Sequence, residues 1–144
     1  MGNIYDYYAA TDDSQALALF EDGCTDDPFG MLGLKGADPY LLLGTVEAHL
    51  TGVSEEQVEA DPRFCELLND AEHEGPWLVS LTDSLRDALA TATPERLLET
   101  ATAWTHTEDG DGEDPALLAD FLERLSELAR DARPRRSLYC GMSL

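Results

Sequence analysis

The chain has 144 residues and carries 30 Asp and Glu against 9 Lys and Arg, which gives a formal net charge of −21. That length predicts one domain over 1–144 with a single apolar core. The charge argues against nucleic acids and anionic membranes as partners, because binding to phosphates needs many Lys and Arg side chains. We expect neither a membrane span nor a signal peptide, and three scattered cysteines predict a reducing, cytoplasmic location.

The beginning of the chain predicts a strand, a helix and a loop. Residues 3–9 are rich in aromatic and β-branched side chains, which favour a short strand. Capping side chains at 11–14 then precede an apolar helical pattern that ends at Gly23. Glycines, a proline and two adjacent aspartates predict a loop over 24–37.

The middle of the chain predicts three helices in succession. The Asp-Pro dipeptide at 38–39 is typical of a helix start, and Gly52 is placed to end that helix. The sequence Ser-Glu-Glu-Gln at 54–57 is a capping box, in which the first and last side chains bond each other's backbone amides. A second Asp-Pro at 61–62 predicts a further short helix through Leu68.

The last part of the chain predicts three longer helices and a final strand. Apolar residues recur at helical spacing over 77–89, which predicts one continuous buried helix. Thr93-Pro94 begins the next helix, with Leu97, Leu98, Ala101 and Trp104 pointing inward. Asp-Pro at 114–115 begins the longest helix, and the apolar residues 138–144 predict a strand.

Together these elements predict an α+β domain that is mostly helical. Two terminal strands are marginal as an isolated pair, so we expect them to pair within a small sheet that the helices cover. The expected architecture has about five to six helices packed on one face of that sheet.

The order of elements resembles a known family. The opening Met1-Gly2-Asn3-Ile4, the helix that ends Leu50-Thr51-Gly52, the long amphipathic helix and the closing strand are similar to those of the bacterial YfbM-like domains of unknown function. That family usually has a Trp-His pair early in the helix ending Leu-Thr-Gly, where this sequence has Leu43 and Gly44. The resemblance therefore implies a fold and carries over no activity and no site residue.

No motif predicts a metal, cofactor or catalytic site. The acidic loop before the longest helix invites a calcium-binding interpretation, but an EF-hand needs glycine at its sixth and glutamate at its twelfth position. Placing Gly112 sixth puts Leu118 twelfth, and placing Gly110 sixth puts Ala116 there. The three histidines, His49, His73 and His106, also lack the short spacing of zinc ligands.

Two features instead indicate a surface for protein contacts. Exposed acidic side chains in the loop attract a cationic partner, and aromatic residues often anchor interfaces. Tyr5 and Tyr7 lie on one face of the predicted first strand, although packing inside the protein is the more usual role of such a pair. The candidate interaction surface consists of Glu108, Asp109, Asp111, Glu113, Tyr5 and Tyr7.

The distribution of charge leads to three hypotheses for function. Residues 1–123 hold 28 acidic and 4 basic side chains, whereas 124–144 hold 2 and 5. The first hypothesis is a non-enzymatic, immunity-like inhibitor that binds a basic protein partner such as a nuclease toxin. The second is a small enzyme whose site assembles from scattered His, Cys and carboxylate groups. The third is a housekeeping domain whose acidity serves only solubility.

Overall fold

The described elements are six helices and four strands in one chain. The structure, a computed structural model, describes residues 4–22, 29–32, 42–69, 77–108, 110–133 and 135–143. In chain order the elements are β1 (Ile4–Ala10), α1 (Asp13–Asp22), β2 (Phe29–Leu32), α2 (Gly44–Thr51), α3 (Glu55–Glu59), β3 (Trp77–Ser80), α4 (Asp83–Thr91), α5 (Pro94–Thr105), α6 (Pro115–Ala132) and β4 (Ser137–Ser143). None of the described helices combines the length and the apolar character needed to cross a membrane.

The four strands form one antiparallel sheet in the order β2-β1-β4-β3. Its centre is the pair of terminal strands, which are in register from Ile4 opposite Ser143 to Ala10 opposite Ser137. The predicted pairing of the two ends of the chain is confirmed, as is the α+β class with helix predominating.

Local capping side chains account for the helix starts that were predicted correctly. The side chains of Thr93 and Asp114 accept backbone N–H bonds in the first turns of α5 and α6, each followed by a proline. Ser54 and Gln57 form the predicted capping box of α3. Gly52 ends α2 with φ of 79°, a backbone conformation that side chains with a Cβ rarely adopt.

The predicted continuous helix over 77–89 is wrong. Trp77–Ser80 is the strand β3, and a new helix starts only after Thr82, whose hydroxyl accepts the N–H of Leu85. The strand was misread because Leu78 and Val79 are buried on opposite faces of the sheet. Burial on both sides leaves no alternation of apolar and polar residues to mark a strand.

Two further predicted elements are also corrected. Residues 29–32 form the strand β2 inside the predicted loop, and the predicted helix at 61–68 is a series of turns. Cys65 has φ of 49°, and beyond it Leu67 pairs with Val79 at the outer side of β3. This short pairing covers an edge of the sheet that would otherwise present unpaired backbone groups. The predicted helix start at 38–39 lies outside the described residues.

Both faces of the sheet carry buried side chains, so the expectation that all helices pack on one face is wrong. Tyr7 and Cys140 belong to the larger core cluster, together with side chains of α2, α4, α5 and α6. Tyr8 and Tyr139 point to the other side and form a smaller cluster with Ala16 of α1. The two layers enclose the central strands and leave α5 at the surface of the larger layer.

Candidate functional site

A concave surface follows the outer side of α5. The inner side of this helix is fixed in the core by four buried residues, Leu97, Thr100, Ala101 and Trp104. Its outer side forms one wall of a groove of about 570 Å³. The residues that line this groove are His49, Glu95, Leu98, Glu99, Thr102, Ala103 and His106.

Leu98 forms an apolar centre in the groove. Its side chain was predicted to point inward with Leu97, but it is 48% exposed. Thr102 and Ala103 continue the same side of the helix by one turn. Single exposed leucines are common on protein surfaces, and Leu98 differs from the exposed Leu117 in that it lines a concave surface.

Arg96 holds the wall of the groove where α2 meets α5. Its Nη2 donates to the backbone carbonyl of His49 at 2.7 Å, and its Nη1 lies 3.1 Å from His49 Nε2. Nη1 also donates to Glu99 Oε1 at 3.1 Å. Because a guanidinium is only a donor, His49 Nε2 must accept this bond. The cation of Arg96 is thus occupied by acceptors within the protein.

The remaining charge at the groove is acidic. The two carboxylates that line it, Glu95 and Glu99, are exposed, and Glu95 makes no ion pair within the described part of the chain. They lie one helical turn apart, on either side of Leu98 along the helix. Around the helix both carboxylates lie on the same side of Leu98, so the groove combines an apolar edge at Leu98 with an acidic strip beside it.

The acidic loop that follows α5 is fixed against the buried side of that helix. The Thr107 hydroxyl donates to the Trp104 carbonyl at 2.6 Å and accepts the N–H of Gly110 at 3.3 Å. A Cβ on Gly110 would lie 2.2 Å from the Trp104 carbonyl oxygen, so only glycine allows this close approach. The loop is thereby held over the Trp104 ring.

The predicted interaction surface is only partly brought together by the fold. Glu108 and Asp111 are exposed on this loop and Glu113 is half-buried, whereas Asp109 lies outside the described residues. Tyr7 is 0% exposed and packs edge-on against Phe121, so it cannot belong to a contact surface. The side chain of Tyr5 also lies outside what the structure describes.

The enzyme hypothesis depends on where the histidines and the carboxylates near them lie. The groove places His49 and His106 together, which their spacing in the sequence did not indicate. His49 Nε2 is 4.0 Å from Glu99 Oε1, too far for a hydrogen bond, and is already bonded to Arg96. No three His, Cys, Asp or Glu side chains in the described ranges are grouped to hold a metal ion, and His73 lies outside those ranges.

A buried carboxyl group lies away from the groove, on the opposite side of α2. Glu47 is 4% exposed and accepts a hydrogen bond from the hydroxyl of Thr82, which caps α4. Burial raises the pKa of Glu47, the nearby Asp61 charge adds to the rise, and the Thr82 bond opposes it. Its hydrogen bond joins α2 to the start of α4.

Sequence reasoning missed the three residues that shape the groove, His49, Arg96 and Leu98. The available signal was the helical period, because Leu98 falls at the edge of the buried stripe that Leu97 and Ala101 define. Comparisons of the chain with protein-family models, with curated proteins and with solved structures find no match.

Proposed function

We propose that this protein is a non-enzymatic interaction protein that binds a basic protein partner through its acidic surface. The observation that carries the proposal is that most of its arginines pair with carboxylates of the same chain. Of the eight arginines, all within the described part of the chain, five form ion pairs with carboxylates of the protein. Arg130, Arg135 and Arg136 make no ion pair among the described residues, so unpaired positive charge is confined to the end of α6 and the rest of the described surface is acidic.

Many exposed carboxylates are left without such a cation. Within the described residues, the exposed acidic side chains that make no ion pair include Glu56, Glu59, Glu95, Glu108, Asp111, Asp114, Glu123 and Glu127. They lie on α3, α5, α6 and the loop between α5 and α6. A surface of one sign accelerates encounter with an oppositely charged protein and disfavours encounter with acidic ones.

The narrower form of this function is inhibition. A rigid acidic protein can occupy a cationic cleft that normally receives phosphate groups, and it then competes with the nucleic acid or nucleotide substrate. In this role the protein acts in the cytoplasm, where the thiols of Cys65 and Cys140 remain reduced.

Affinity purification from native lysate tests the function. The immobilised protein should retain a basic protein that is absent from beads carrying an unrelated protein of similar negative charge, a control that removes simple ion exchange. Titration of the purified partner should then show an affinity that falls about tenfold or more between low and physiological salt. Recovery of no basic protein above the control, or binding that salt does not weaken, would contradict the proposal.

A further inference from the structure

We infer that the groove along α5 is the docking site for an amphipathic helix of the partner. An apolar side chain of that helix would pack on Leu98, and a lysine or arginine beside it would pair with Glu95. This inference rests on the proposed function. It assigns the basic partner to one surface of the protein and states the chemistry of the partner segment that binds there.

The shape of the groove suits a helix. One wall is the outer side of α5, and the end of α2 closes the groove at His49. Helix-in-groove recognition uses such a surface, in which a few apolar anchors of the bound helix pack along an apolar strip. Leu98 provides the anchor point, with Thr102 and Ala103 one turn further along.

The groove is also preorganised. Arg96 bonds the His49 carbonyl, the His49 ring and Glu99, so the junction of α2 with α5 is fixed before any partner binds. A wall that is already ordered costs less conformational entropy on binding than a mobile one. The same bonds keep the Arg96 cation from repelling a basic segment.

The negative charge of the groove favours a basic helix as the segment that binds there. Glu95 and Glu99 are four residues apart on α5, a separation of about 6 Å along the helix axis. A basic residue beside the apolar anchor of a partner helix can therefore pair with Glu95, while Glu99 keeps its pair with Arg96. A second copy of this chain is disfavoured as the occupant, since each copy carries a net charge of −21.

Peptide titrations followed by NMR test this assignment. The first probe is a helical peptide with leucines along one side and lysines flanking them. The second is a scrambled peptide of identical composition and charge, which has lost the apolar side. The first should shift the amide signals of Leu98, Thr102, Ala103 and His49, and should bind several-fold tighter than the scrambled peptide.

Two matched variants locate the anchor. Leu98→Ala should weaken binding of the amphipathic peptide about tenfold, as expected for loss of a central apolar contact. Leu117→Ala is the control, because Leu117 is 59% exposed on α6 and does not line the groove. It should leave the affinity unchanged, and circular dichroism should show that both variants are folded.

The outcomes separate this inference from the proposed function. Equal binding of both peptides, or equal effects of the two leucine variants, would overturn the groove assignment and leave general acidic binding intact. Groove signals that shift when the protein alone is concentrated would assign the groove to a second copy and overturn it as well. Failure of both peptides to bind at low salt would contradict the groove and the acidic-surface function together.

Discussion

The two faces of the central sheet are held by different kinds of interaction. On one face, Tyr7 enters a large apolar core, where its ring meets Phe121 edge-on with centroids 5.3 Å apart. On the other, Tyr8 and Tyr139 form a small cluster whose polar ends are bonded. The Tyr8 hydroxyl donates to the Ala16 carbonyl at 2.7 Å, and the Tyr139 hydroxyl donates to Asp13 at 2.9 Å.

The face with Tyr8 is completed by a cluster of charges around Arg63. This side chain donates two hydrogen bonds to Asp13, at 2.7 and 2.9 Å, and one to Glu66 at 2.9 Å. The bond from Arg63 holds the pKa of Asp13 below its usual value, and burial followed by the Asp13 carboxylate raises the pKa of Tyr139. Burial of apolar surface area therefore stabilises one face of the sheet, whereas hydrogen bonds and ion pairs stabilise the other.

The largest loss of stability is expected on the face of the sheet that buried apolar area stabilises. Phe121→Ala removes a fully buried ring that packs on Tyr7, so it should lower the free energy of unfolding by about 3–5 kcal/mol. Leu117→Ala, on the exposed side of the same helix, should change it by less than about 0.5 kcal/mol. Urea denaturation of both variants measures the difference, and similar losses would show that α6 is not packed on the sheet as described.

On the other face, removal of the charge cluster should cost less. Arg63→Met leaves Asp13 without its paired bonds, and we expect a loss of about 1–2 kcal/mol because both side chains are partly exposed. Arg133→Met is the control, because its ion pair with Asp87 spans 3.6 Å at the surface, and it should cost less than about 0.5 kcal/mol. Equal costs in urea denaturation would reduce the Arg63 cluster to an ordinary surface pair.

The same cluster predicts a dependence on pH. Because the Arg63 bond holds the pKa of Asp13 in the folded protein below its ordinary value, the stabilising contribution is complete above that ordinary value. It is lost as the pH falls through the lower pKa of the folded state. The stability difference between the wild type and Arg63→Met should therefore shrink between about pH 4 and pH 2. A difference that stays constant over that interval would contradict the pairing.

Removal of one hydroxyl should have a smaller effect on the same face. Tyr139→Phe keeps the ring in its cluster and deletes the bond to Asp13, so it should lower stability by about 1 kcal/mol at neutral pH. Thermal unfolding measures the loss. If Tyr139→Phe is as stable as the wild type, the bond contributes nothing and the cluster depends on Arg63 alone.

The smallest change in stability is expected from a carboxyl group that is buried on the same side of the sheet as Tyr7. Burial raises the pKa of Glu47, so the folded state favours the neutral acid and loses this advantage as the pH rises through that pKa. Glu47→Gln stays neutral and offers an oxygen to the Thr82 hydroxyl. Its stability relative to the wild type should thus increase by up to about 1 kcal/mol from pH 4 to pH 8. A relative stability that falls over this range would reverse the assigned direction.

The parts of the fold that depend on nearby residues could be predicted from the sequence. Asp114 with Pro115, and Ser54 with Gln57, act within one helical turn, so their effect does not depend on the rest of the molecule. The pairing of the terminal strands was predictable because the sequence indicated only these two strands, and a strand needs a partner for its backbone groups.

The parts that depend on distant residues could not be predicted. The bonds between Asp13, Arg63 and Tyr139 join positions 50 and 126 residues apart, and no local pattern marks them. Residues 77–80 were predicted to be helical although they form a strand. Side chains on both faces of this strand are buried, so no alternation of apolar and polar residues marks it. The groove was missed because His49 and Arg96 meet only once α2 crosses α5.

The central claim is that Glu95 in the α5 groove pairs with a basic residue of a docked helix, and an exchange of charges tests it most directly. Glu95 is the suitable residue, because it is exposed and free of ion pairs among the described residues. Glu95→Lys alone, or a lysine-to-glutamate change alone at the facing peptide position, should weaken binding severalfold. The two together should restore most of the affinity, a coupling of about 0.5–1 kcal/mol. Losses that simply add in the double variant would contradict a direct pairing in the groove.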